Sequence, residues 1–236
     1  LLFAIEPMFT KMVLPQLGGS PSVWSVALVF FQGLLLAGYC WAHLLTRLLS
    51  LPAAAFVHLA FCALAVFLLP IASLGGSAPP SEGGQALWLL GLFGGAVGLP
   101  FFVVSANGPL LQAWFARSGH RAAGDPYFLY AASNAGSFVA LLAYPFLIEP
   151  FFGLRAQSVA WTWGFAGLLL ALVSCAGLAL AVRGAAHVES SAPQAKAAIS
   201  WNDRLAWIGL SSVPSGLLVA ATAHISTDIA AAPLLW

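Results

Sequence analysis

The chain is 236 residues long, 61% hydrophobic and only 6% charged, with 8 Lys+Arg against 7 Asp+Glu and a mean hydropathy of +0.95. A soluble domain carries about a quarter charged residues, so this composition excludes a water-soluble globule, a disordered tail and a coiled coil, and it defines an integral membrane protein. A net charge of +1 without a basic cluster also excludes nucleic acid as a partner, because a run of phosphates could not be neutralised.

A helix needs about 20 mostly apolar residues to cross the hydrocarbon, and marking off such runs predicts an all-α, polytopic transmembrane bundle. About seven spans and the start of an eighth are expected, an architecture compatible with a transporter. The first run, residues 1–17, holds Pro7, Pro15 and the opposite charges Glu6 and Lys11. Intramembrane charges point to function by default. At i, i+5 these two lie about 140° apart on a regular helix, so they make no same-face pair unless a proline distorts the backbone. Snorkelling to an interface is the plainer reading.

Residues 18–21 (Gly-Gly-Ser-Pro) predict a tight turn, with Ser20 as N-cap and Pro21 at the first helical position. The second run, 23–45, ends with His43 and Arg47 on one face, a place suited to lipid phosphates. The third, 53–74, holds His58, read as a hydrogen-bonded packing residue. A Gly/Ser/Pro loop with Glu82 follows over 75–85.

The fourth run, 86–104, contains Gly91 with Gly95 and Gly94 with Gly98, two small-xxx-small repeats that predict a tight helix crossing. No strand precedes these glycines and no acidic residue follows, which excludes a nucleotide-binding loop. Residues 107–118 place Leu110, Leu111, Trp114 and Phe115 at i, i+1, i+4 and i+5, predicting an amphipathic helix in the inner interface.

The fifth run, 127–148, sets Tyr130, Asn134, Ser137 and Tyr144 on one face, with Gly136 nearby for close approach. Such a stripe is either interhelical hydrogen-bond glue or the lining of a substrate path. The sixth, 159–182, completes a six-span unit over residues 1–183. Residues 184–200 read as an Ala/Ser/Pro-rich cytoplasmic linker, and 201–236 as the seventh span, broken by Pro214, with the start of the eighth. His224 and Asp228, at i, i+4, form an interfacial polar cap or a cation site.

Loop charges orient the bundle. Arg47, Arg117, Arg121, Arg183, Lys196 and Arg204 follow even-numbered spans, whereas the opposite loops offer Arg155 alone. The even ends are therefore cytoplasmic and the first span starts on the cytoplasmic side. Cys40, Cys62 and Cys175 stand alone in apolar runs, so no disulfide framework or metal site is expected, and no cofactor. The apolar residues at both ends of the chain lead us to expect a segment of a longer protein.

Specific strings extend this reading. Glu6-Pro7-Met8, Lys11 to Pro15, Gly18 to Pro21 and Val23-Trp24 resemble the start of a bacterial family of fused membrane/spermidine-synthase-like proteins. Asp125 to Ser137 and Thr227 to Trp236 resemble the same family. The resemblance implies a bacterial inner-membrane region, sometimes described as transporter-like, ahead of a cytoplasmic domain similar to polyamine aminopropyltransferases. The Gly-rich nucleotide loop and amine-binding acidic residues of that domain do not occur in this chain, so no catalytic residue is carried over. The expected partners are membrane lipid, the chain's own soluble domain, or subunits of a larger membrane complex. Small-molecule transport and accessory-subunit roles are the alternative functions.

Overall fold

The computed structural model describes residues 1–17, 22–72, 79–80, 83–118, 120, 122–125, 127–185 and 200–224, and among these all regular structure is helical. Backbone in hydrocarbon has no water to bond, so an apolar run that enters lipid must close its own hydrogen bonds, which a helix does within one segment. Five helices are long and apolar enough to cross a membrane: Ser22–Leu48, Gln85–Ala116, Tyr127–Phe151, Leu154–Ala181 and Trp201–Ala221. They correspond to the second and fourth to seventh predicted runs.

The first and third runs are helical but shorter than predicted. Helix α1 (Leu2–Val13) is 12 residues, about 18 Å, and passes into a single 3-10 turn, Leu14–Leu17, that contains Pro15. After α2 (Ser22–Leu48) comes α3 (Leu51–Val66), 16 residues or about 24 Å, which starts with Pro52 in its first turn and stops ahead of Pro70. Helix α4 (Gln85–Phe93), a π-helical stretch Gly94–Gly98 and α5 (Leu99–Ala116) are continuous. So are α6 (Tyr127–Ala143), a second π-helical stretch Tyr144–Ile148 and α7 (Glu149–Phe151). Helices α8 (Leu154–Ala185) and α9 (Trp201–His224) complete the order.

The separate interfacial helix expected over 107–118 is absent. Helix α5 continues through that segment, and Leu110 and Trp114, expected to face the membrane surface, are buried in the core. At 32 residues the continuous α4–α5 helix is about 48 Å long, so part of it extends beyond a hydrocarbon layer of about 30 Å. The turn at 18–21, Glu82, Asp228, linker residues 186–199 and the run 225–236 lie outside the described residues.

The chain divides into two compact units, Leu1–His187 and Val188–Trp236, each described by itself. In the second, Ser200 caps α9. Its hydroxyl accepts from the Asp203 N–H at 3.1 Å while the Asp203 carboxylate accepts from the Ser200 N–H at 3.2 Å, the reciprocal bonding of a capping box.

In the first unit, polar ties show which helix ends meet. Lys11 pairs with Glu149, and the Ser158 hydroxyl donates to the Ile71 carbonyl, so the C-terminal ends of α1 and of the α6–α7 helix lie beside the start of α8 and the segment after α3. At the opposite end the Arg117 guanidinium donates to the Thr46 carbonyl, joining the ends of α2 and α5. Helix α5 packs against α1, α2, α3, α6 and α8, and its pairing with α2 is the most extensive in the bundle. Phe9, Phe30, Phe31, Phe93 and Phe101 interlock around it, with ring centroids from 4.8 to 5.8 Å apart. Lipid tails are as apolar as leucine, so van der Waals fit and polar ties, not escape from water, hold such helices together.

The glycine that permits the α2–α5 crossing is Gly38. A Cβ there would lie 1.9 Å from Ser105 Oγ and 3.0 Å from the Phe102 carbonyl oxygen. The repeat predicted to do this work sits differently. A Cβ on Gly91, Gly94 or Gly136 meets nothing within 4 Å, and Gly95 is exposed. Gly98 alone of that set is buried, with Phe30 Cζ 3.9 Å from its would-be Cβ. We therefore expect Gly38→Val to lower thermal stability in mild detergent by an amount equivalent to about 1–3 kcal/mol. Gly94→Ala should leave it unchanged or slightly raised, since alanine favours helix over glycine. Equal melting shifts for the two variants would contradict this account of the crossing.

Candidate functional site

Two groups of polar side chains lie within the apolar first unit. The outermost joins α1 to the second π-helical stretch and α8. Lys11 Nζ donates to Glu149 Oε1, with the two side chains 15% and 34% exposed, and the ammonium stands 5.8 Å from the centre of the Tyr144 ring. Tyr144 donates its hydroxyl to Gln157 Oε1 at 2.9 Å, and Gln157 Nε2 donates to the Phe152 carbonyl at 2.7 Å. The ion pair thus meets a hydrogen-bonded chain from Tyr144 to the Phe152 carbonyl through the contact of the ammonium with the Tyr144 ring.

Local backbone chemistry sets up this meeting. Pro145 has no N–H to give the carbonyl one turn back, and the helix widens so that the Glu149 N–H bonds the Tyr144 carbonyl, an i to i+5 pairing. In an α-helix, residues five apart point about 140° away from each other. The wider turn brings Tyr144 and Glu149 toward one another, and both face Lys11. Among the described residues Lys11 forms its ion pair with Glu149 and not with Glu6. The obstacle that keeps Glu6 and Lys11 apart on α1 is the one that the π-helical turn removes for Tyr144 and Glu149. Glu6 is half-buried and contributes its backbone carbonyl, which accepts from the Thr10 hydroxyl at 2.7 Å.

The second group lies deeper, between α3 and α5. His58 is fully buried with Nε2 2.9 Å from Asn107 Oδ1, and Cys62 Sγ is 3.6 Å from the same nitrogen. Of the fifth-run stripe, Tyr144 alone joins the first group, and Tyr130, Asn134 and Ser137 belong to neither. Tyr130 is 57% exposed, Asn134 and Gly136 are exposed, Ser137 is half-buried, and no residue of α6 itself is buried. His224 closes α9 in the second unit and is exposed. No three of His, Cys, Asp and Glu among the described residues gather closely enough to hold a metal ion.

Sequence reasoning therefore missed Glu149, Gln157 and Asn107 as site residues; it read His58 as a hydrogen-bonded packing residue, whose partner the structure identifies as Asn107. One signal was available: loop charges put the ends of the first and fifth runs on one side, where Lys11 and Glu149 are opposite charges at run ends. Nothing in the spacing marks Asn107 as the partner of His58, 49 positions away. Protein-family models, curated proteins and solved structures were each compared with the chain, and none matches it.

Removing one member of a buried ion pair strands the other charge, whereas removing both does not. Lys11→Met and Glu149→Gln should each lower the melting temperature in detergent, and the double variant should lose less than their sum. We expect a coupling of about 1–3 kcal/mol. Strict additivity in this cycle would show that the pair contributes nothing to the bundle.

Proposed function

We propose that this chain is the membrane module of a spermidine-synthase-like fusion protein of a bacterial inner membrane. It anchors, or passes substrate to, a cytoplasmic aminopropyltransferase-like domain. The observation that carries this reading is the set of strings over residues 6–24, 125–137 and 227–236 that resemble that family. Two of these strings supply residues of α1 and α6, helices that pack against each other, and Lys11 in the first string ties the pair together.

The loop charges make the Arg47 and Arg117 end cytoplasmic. The bond from Arg117 to the Thr46 carbonyl supports one part of this, that the two basic ends share a face. A module with its basic ends inward holds a soluble domain on the side where polyamines and nucleotides are made.

A second reading, a small-molecule carrier, is favoured by one specific feature. Glu149 and Lys11 form an incompletely buried ion pair at a helix end, where a cationic solute could exchange with the lysine. On that reading Glu149→Gln abolishes uptake or export of the cation while the folded protein persists.

The fusion reading is tested on the protein isolated from its native membrane. Peptide mapping should recover sequence beyond Trp236 from a soluble domain with a Gly-rich nucleotide loop, and the preparation should transfer an aminopropyl group to a polyamine. A natural polypeptide without such a domain and without transfer would overturn the reading. Orientation is tested separately, with single cysteines at Arg117 and Gly153 in a background lacking Cys40, Cys62 and Cys175. A membrane-impermeant maleimide should label position 117 only from the cytoplasmic side and position 153 only from the outside.

A further inference from the structure

The bonds within the His58–Asn107 group leave it incomplete. Asn107 is 7% exposed and Trp114 is 2% exposed, and the Trp114 ring stands edge-on to the His58 imidazole with centroids 6.4 Å apart. Three of its buried nitrogens have no hydrogen-bond partner among the described residues: His58 Nδ1, Asn107 Nδ2 and Trp114 Nε1. Buried polar atoms are almost always bonded to protein or to ordered water, and inside a bilayer a bare one has no solvent to fall back on. Three bare atoms on neighbouring side chains call for an occupant.

Their chemistry defines it. A neutral imidazole has one N–H and one lone pair. With Nε2–H given to Asn107 Oδ1, His58 Nδ1 needs a donor, while Asn107 Nδ2 and Trp114 Nε1 need acceptors. Turning the amide over exchanges the roles without removing the need: Nδ1 then carries the proton and Asn107 Oδ1 lacks a donor. In either arrangement the three atoms together need partners that donate as well as accept, and His58 Nδ1 and the Asn107 amide, on opposite sides of the ring, need separate ones. An ammonium ion only donates and cannot serve the two N–H groups; a hydrocarbon tail serves none of them.

An independent feature of the backbone agrees. Pro109 lies inside α5 and has no N–H for the Ser105 carbonyl one turn back, in the stretch that carries Asn107. Ordered water is one of the ways in which transmembrane helices satisfy a carbonyl freed by proline.

We propose that His58, Asn107 and Trp114 form an internal binding site for water between α3 and α5. More than one water molecule is needed, because His58 Nδ1 and the Asn107 amide lie on opposite sides of the imidazole ring. The site is a polar station inside the apolar bundle, separate from the Lys11–Glu149 pair at its end, and it does not depend on the fusion reading.

The test uses the full chain in lipid bilayers. In the ultraviolet resonance Raman difference between the parent and Trp114→Phe, the indole band that responds to N–H bonding should fall at its hydrogen-bonded position. In 15N-labelled parent protein, solid-state NMR magnetisation started on water should reach the His58 side chain, assigned by its disappearance in His58→Phe. Asn107→Leu should remove at least half of that transfer. A free indole in the Raman difference, or no transfer from water to His58, would overturn the proposal. A bonded indole without water transfer would give the indole N–H a different acceptor and equally reject water. If Trp114→Phe does not fold, the parent's 15N measurement decides alone.

Discussion

A polar group placed in hydrocarbon has no water to fall back on, and the organisation of this bundle follows from where such groups find partners. The backbone meets the demand by forming helices throughout the described regular structure. Side chains meet it in pairs that join separate helices: Lys11 with Glu149, Tyr144 with Gln157, Ser158 with the Ile71 carbonyl, Arg117 with the Thr46 carbonyl, His58 with Asn107. Four of these five ties sit near helix ends, and they set which ends are neighbours. The fifth lies inside the bundle and leaves nitrogens unsatisfied, which is why the strongest indication of a bound small molecule is there.

Fit does the rest. With no hydrophobic difference between a lipid tail and a leucine side chain, the helices depend on interlocking shapes. Five phenylalanines fill the space around α1, α2, α4 and α5, and Gly38 removes the one side chain that would hold α2 away from α5. The outward faces carry large apolar side chains, among them Val29, Leu36, Phe56 and Phe138, which in water would form an aggregation-prone patch and in a bilayer meet lipid. Proline adds a further layer. Pro145 accompanies the π-helical widening that aims Tyr144 and Glu149 at the same lysine, so a backbone irregularity, not a regular helix face, assembles the polar end of the bundle.

The class of protein and most of its helices were legible in the sequence because hydropathy and length respond to the bilayer directly. What one run does with another was not. Glu6 and Lys11 invite pairing because they are close in sequence, yet the partner of Lys11 is 138 positions away and becomes available only through a π-helical turn that no periodicity announces. Gly91, Gly94, Gly95 and Gly98 carry the small-residue pattern of a tight crossing, while the close approach occurs at Gly38, whose small companion at i+4 is Ala42 and not a second glycine. The apolar spacing of Leu110, Leu111, Trp114 and Phe115 fits an interfacial helix and a buried helix end equally well, and burial of Leu110 and Trp114 against α3 and α8 residues decides between them. Pattern reports which face of a helix is apolar; it does not report whether lipid or protein covers that face.

The claim on which this account rests is that α1 and the end of the α6–α7 helix are joined through Lys11 and Glu149. Oxidative cross-linking in intact membranes measures it most directly, with Lys11→Cys and Glu149→Cys combined in a background free of other cysteines. The account predicts rapid formation of an intramolecular disulfide for this pair. It predicts none for Lys11→Cys with Asn134→Cys, whose second cysteine lies about 22 Å further back along α6. No cross-link between positions 11 and 149, or equal cross-linking of both pairs, would contradict it.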